Sequence, residues 1–118
     1  MERNRNFFEL TVLIPHPSSL MLLRTVRMTF APHQLDAFLA LFAEARPKIR
    51  AVDGCHHLEL WQDARFPNVL TTFSRWADAD ALTAYRHSEL FNTTWARTTP
   101  LFAAAPVAHS QFELAANG

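Results

Sequence analysis

The order in which two kinds of hydrophobic pattern follow one another leaves this chain few folds to adopt. Leu22 to Phe30, "LLRTVRMTF", is apolar and β-branched with a partial period of two, which predicts a strand. Pro32 suits a first helical turn, and Leu35, Phe38, Phe42, Ala45 and Ile49 then recur at helical spacing. Pro47 falls inside that pattern, where its missing N–H predicts a kink or an early stop. Gly54, in the Asp53-Gly54 pair, is free to take the left-handed turn that ends the unit. "CHHLELWQ" (55–62) and "VLTTFSRW" (69–76) flank the turn "DARFPN" and predict a hairpin. Asp78 and Asp80 bring a cap and negative charge to the start of a helix over "ADALTAYRH". Ser88 restarts a helix carrying Phe91 and Trp95, Pro100 and Pro106 break the chain, and "VAHSQFEL", Val107 to Leu114, predicts a last strand.

Strand, helix, strand, strand, helix in two pieces, strand is the split βαβ order. It predicts an α+β, ferredoxin-like βαββαβ fold, with helices on one face of an antiparallel sheet. No strand alternates cleanly between apolar and polar, so the second face also needs cover. A second copy of the sheet would supply it, and a homodimer is expected. A net charge of zero, from eleven acidic and eleven basic residues, gives little electrostatic protection from self-association.

Residues 1–20, "MERNRNFFELTVLIPHPSSL", read differently, with a basic start and a short apolar run broken by Pro15 and Pro17. The run is too short for a membrane span and unconvincing as a signal peptide. A dispensable arm over 1–20 and one domain over 21–118 are expected.

Several function classes lose support. No basic patch stands out, which disfavours nucleic acid and anionic membrane as partners. With glycine only at 54 and 118 there is no phosphate-binding loop, and no Cys-x-x-Cys, HExxH or G-x-S-x-G spacing occurs. The single Cys55 excludes an intramolecular disulfide, reads as a small buried hydrophobe, and fits a reducing, cytoplasmic setting.

Among the histidines, His56 and His57 must point to opposite faces of a strand, whereas His57 and Glu59 share one. With His109 they would form two imidazoles and a carboxylate, a non-haem iron set. Strands two and four of this fold stand about 14 Å apart, however, too far for a common metal within one chain. His109, in the middle of the last strand, is instead a candidate base, since a buried imidazole can be tuned close to neutral pH. Trp76, Tyr85 and Trp95 read as packing or as the wall of a cavity with polar tips, and Arg86 beside Tyr85 could answer an anionic oxygen.

"FLALFAEARPKIRAVDGCHHLELWQD" and "FSRWADADALTAYRHSELFNTTW" together resemble the antibiotic biosynthesis monooxygenase family. The resemblance covers 21 to 114. It implies a dimeric α/β barrel, two ferredoxin-like sheets closed face to face. It also implies a cofactor-independent monooxygenase, taking a phenolic, quinol or polyketide-like aromatic and O₂ as partners, without metal or other cofactor. His109 and Tyr85 would then be catalytic, with Trp76, Trp95, Arg86, His57 and Phe91 binding substrate. The family's haem-degrading branch fits poorly: Tyr85 stands at its tryptophan position, Trp95 at its iron-binding histidine, and the first strand holds no asparagine. A non-catalytic dimeric module binding a hydrophobic metabolite, or a structural dimer, is the alternative.

Overall fold

The computed structural model describes residues 20–114, so the arm over 1–20 lies outside the described residues except for Leu20. The elements are β1 (Leu22–Thr29), α1 (Leu35–Arg50, after a 3₁₀ turn at Pro32–Gln34), β2 (Cys55–Gln62) and β3 (Val69–Trp76). They continue with α2 (Ala79–Arg86), α3 (Glu89–Thr98, running into a 3₁₀ turn at Thr99–Leu101) and β4 (Val107–Phe112). The strands form one antiparallel sheet in the order β2-β3-β1-β4. This is the ferredoxin-like α+β arrangement that the order of periods predicts.

α1 does not stop at Pro47 but runs on to Arg50. Proline's missing N–H falls in the last turn, where one bond is lost and the next is kept: the Ala51 N–H donates to the Pro47 carbonyl at 3.1 Å. The carbonyl left without a helical donor belongs to Ala43, an exposed residue that water can reach.

α1 buries Phe38, Leu41, Phe42, Ala45 and Ile49 along one stripe. Phe38, Phe42, Ala45 and Ile49 meet Leu22, Met28, Leu58, Leu70 and Trp76 of the sheet and Leu82 of α2 in one cluster. Each large side chain in it stabilises the fold by roughly 1.5–3 kcal/mol of burial.

Register then assigns the faces. Leu22 pairs with Trp76 and Val26 with Thr72, so Arg24, Val26 and Met28 share the inner, helix-covered face with Thr72, Ser74 and Trp76. Leu23, Thr25, Arg27, Thr71, Phe73 and Arg75 take the outer face. A bulge between Cys55 and His57 resets β2, leaving Leu58 inside and His57, Glu59 and Trp61 outside. Outside, Trp61 stacks on Phe73 at 5.2 Å while remaining 46% exposed, and Val107 is 50% exposed.

Gly54 performs the turn expected of it, with φ +86°. A Cβ there would stand 2.6 Å from the Ala81 Cβ, because β2 begins hard against α2. Gly54→Ala combines left-handed strain with overpacking and is expected to cost about 2–4 kcal/mol of stability, measured by urea unfolding.

Candidate functional site

Between the inner face of the sheet and the helices lies a cavity of about 290 Å³, near the lower end of the range for small-molecule sites. Its closed end is apolar, formed by Phe38, Phe42, Ile49, Leu58 and Leu82; Arg86 and Ala108, both exposed, mark the open end. Trp76, Tyr85, Phe91 and Trp95 form an aromatic wall. Trp76 stacks on Tyr85 at 5.1 Å, Tyr85 meets Phe91 edge to face at 5.3 Å, and Phe91 stacks on Trp95 at 5.8 Å.

Local sequence sets this wall. The Asp78 carboxylate accepts from the Ala81 N–H at 2.9 Å and starts α2. The Ser88 hydroxyl donates to the Tyr85 carbonyl at 2.6 Å and accepts from the Phe91 N–H at 3.1 Å. One serine thus closes α2, opens α3, and fixes the angle between the Tyr85 and Phe91 rings. Trp76, 1% exposed, satisfies its indole by donating to the Ser74 hydroxyl at 2.9 Å.

Burial pushes the Tyr85 phenol up to about 12, with a smaller contribution from nearby Cys55. Near neutral pH Tyr85 is therefore a neutral hydrogen-bond donor and not a base. Arg24 reaches the cavity from β1 and donates to the Ser110 hydroxyl at 2.9 Å. Its guanidinium is held below the usual arginine value, by burial first and by the Arg86 charge second.

Five of the residues singled out in the sequence, Trp76, Tyr85, Arg86, Phe91 and Trp95, are brought together here. His109 and His57 are not. His109 is exposed, where a buried imidazole is expected from the sequence. β4 is an edge strand, and pairing of His109 with Thr25 puts it on the outer face. His57 lies on that face too, its Nε2 2.5 Å from Glu59 Oε2, while Trp61 donates to Glu59 Oε1 at 2.6 Å. Those two bonds hold the Glu59 carboxyl below its ordinary range, the His57 bond contributing most. Among the described residues no three His, Cys, Asp or Glu side chains are grouped to hold a metal.

Sequence reasoning passed over Arg24. The sequence shows only that Arg24 shares the strand parity of Val26 and Met28; which parity the helices cover is set by the pairing of β1 with its neighbours.

Residues 21–97 match the profile of the antibiotic biosynthesis monooxygenase (ABM) family. The chain belongs to that family. Solved structures agree on the fold. A candidate antibiotic biosynthesis monooxygenase of Caulobacter crescentus superposes with a TM-score of 0.79 at 19% identity, covering 91% of this chain and 99% of its own. A Mycobacterium tuberculosis protein gives 0.76 at 22%, covering 83% and 99%. A candidate monooxygenase of Bordetella bronchiseptica gives 0.72 at 24%, covering 81% and 99%. Among curated proteins none matches the sequence. Some ABM members are monooxygenases, and among the described residues of this one no helix is long and apolar enough to cross a membrane.

Tyr85 is the chain's single tyrosine, so tyrosinate absorbance reports it alone. In the folded protein that absorbance should rise only near pH 12, against about 10 when unfolded. Because the folded value is the higher one, the associated stability is complete below pH 10. It is lost as pH climbs from about 10 to 12, on the order of 2 kcal/mol in all. In Tyr85→Phe this alkaline loss should disappear, as followed by urea unfolding across that pH range.

Proposed function

We propose that the cavity binds a flat phenolic, quinol or polyketide-like aromatic and oxidises it with O₂ without a cofactor, within a homodimer. The observation that carries this reading is the aromatic wall with donors at its tips, in a chain of the ABM family. The ring of the ligand lies against Trp95 and Phe91, and the neutral Tyr85 hydroxyl donates to its phenolic oxygen. Ionised, that oxygen makes the ring electron-rich. The phenolate passes one electron to O₂, and the radical and superoxide join at a ring carbon. The hydroperoxide then loses water: its O–O bond breaks, one oxygen stays as a quinone carbonyl, and the other leaves as water. Phenol plus O₂ thus balances quinone plus water.

No histidine or carboxylate lines the cavity among the described residues. The phenolic proton therefore leaves toward solvent at the open end, and the two arginines favour the anion that remains. His109 and His57, on the outer face, belong in this scheme to the surface where a second copy would seat. The same lack of a base favours a second reading, in which the protein binds an aromatic metabolite without turning it over.

Oxygen uptake with a panel of hydroquinones and anthrones, set against an uncatalysed control, separates the two readings. Uptake above the control supports the oxygenase; binding without uptake supports the module. In the first case Trp95→Ala should lower kcat/KM by about tenfold or more through loss of ring contact. His109→Ala should change kcat by less than about threefold, far short of the hundredfold or more that removing a general base costs.

The outer face is the expected dimer surface, with Phe73 at its centre between Trp61 and His57. Phe73→Glu should convert the dimer to a folded monomer by sedimentation, since a buried unpaired carboxylate opposes reassociation. A wild-type chain that sediments as a monomer throughout would remove the barrel.

A further inference from the structure

The inner end of the cavity is apolar, but two cations converge at its open end. Arg24 projects from β1 and Arg86 ends α2, and both line the cavity. They line one cavity and repel each other enough for the Arg86 charge to register at Arg24. Two like charges lining one opening favour an anion between them. Among the described residues the ion pairs formed are His57–Glu59, Arg75–Glu113 and Arg97–Glu44, and none includes either arginine. Arg24 is also held in place. Its Nη1 donates to Ser110 on the neighbouring strand, which fixes the guanidinium plane and leaves its remaining N–H groups for a ligand.

Taking the cavity as the aromatic-binding site argued above, we propose that its ligand carries a carboxylate, and that Arg24 and Arg86 grip that carboxylate at the cavity mouth. The substrate class is then an aromatic acid, such as a hydroxynaphthoate or a larger fused-ring acid, and not a neutral phenol. A phenolate held at Tyr85 sets one negative charge against two positive ones, and a carboxylate at the mouth supplies the second. A carboxylate presents two oxygens with four lone-pair directions, the complement of two guanidinium forks. The same anchor orients the ring. With its acid end at the mouth, the opposite edge is directed toward the aromatic wall at Trp76 and Tyr85, where the phenolic chemistry is placed. Arg24 is thus a specificity-determining residue, selecting which flat rings enter and which end leads.

The test compares 6-hydroxy-2-naphthoate, whose hydroxyl and carboxylate stand at opposite ends of the ring system, with its methyl ester by titration calorimetry on the full chain, under argon so that turnover does not intervene. The acid should bind at least about tenfold more tightly than the ester, the scale of a charge-assisted hydrogen bond. Raising salt from roughly 0.05 to 0.5 M should erode that preference, because the ion contacts lie at a solvent-facing mouth. Arg24→Met and Arg86→Met should each reduce the preference to below about threefold while leaving ester affinity within about twofold. Retained ester binding reports that the cavity is intact. Should a variant lose ester binding as well, the salt dependence of the wild-type preference decides. Equal affinity for acid and ester overturns the carboxylate anchor while leaving the aromatic cavity standing, as does a preference that either substitution or salt leaves intact. Binding of neither overturns both.

Discussion

A chain of ring contacts ties the two halves of this fold together, and the cavity exists because of it. Trp76 stacks on Tyr85, Tyr85 meets Phe91, Phe91 meets Trp95, and Trp95 meets Phe102. Phe102 then leans on Phe30 at 5.3 Å, Phe30 stacks on Phe38 at 4.2 Å, and Phe38 contacts Phe42. The series starts at the end of β3, crosses α2 and α3, returns through the strand bridge between Phe30 and Phe102, and ends on α1. Rings are stiff, with two side-chain torsions each, so a continuous series of them spans a gap that flexible aliphatic side chains would collapse into. The aromatic stripe in the second helical unit is therefore both core and cavity wall: its outer rings bury against the sheet while its inner faces remain open.

The sheet divides the molecule into two chemical environments. Inside, Tyr85 is kept protonated by burial, and polar groups are few and fixed: Ser74 by Trp76, Arg24 by Ser110. Outside, His57, Glu59 and Trp61 form a bonded cluster beside Phe73. Every residue of β4 is exposed, on both faces. An edge strand with this exposure has most to gain from a second copy; the proposed dimer takes the outer face of the sheet, while Ala108 on the inner face of β4 borders the cavity.

The carboxylate anchor and the oxygenase reading place different demands on the cavity. Binding an acid requires two cations at the mouth, whereas oxidising a phenol requires a neutral donor deeper in and a way out for one proton. Arg24 and Arg86 meet the first demand and Tyr85 supplies the donor for the second.

Element types and boundaries were legible in the sequence because they depend on near neighbours. The 3.6 period of Phe38, Phe42, Ala45 and Ile49, the glycine at 54, the caps Asp78 and Ser88 and the hairpin from 55 to 76 all act within a few residues. The early stop expected at Pro47 does not occur, because a proline's cost depends on whether one particular carbonyl can reach water, which is a matter of surroundings. The grouping of Trp76, Tyr85, Arg86, Phe91 and Trp95 could be read because those residues lie on one continuous strand-helix-helix stretch. The side of the sheet on which His57, His109 and Arg24 would stand could not. Faces are assigned by register between strands far apart in sequence, and a single bulge at Cys55 or a one-residue change in pairing inverts them. The sequence by itself determined which elements form and which rings cluster. Only the pairing of β1 with β3 and β4 decided that Arg24 faces the cavity and His109 faces away from it.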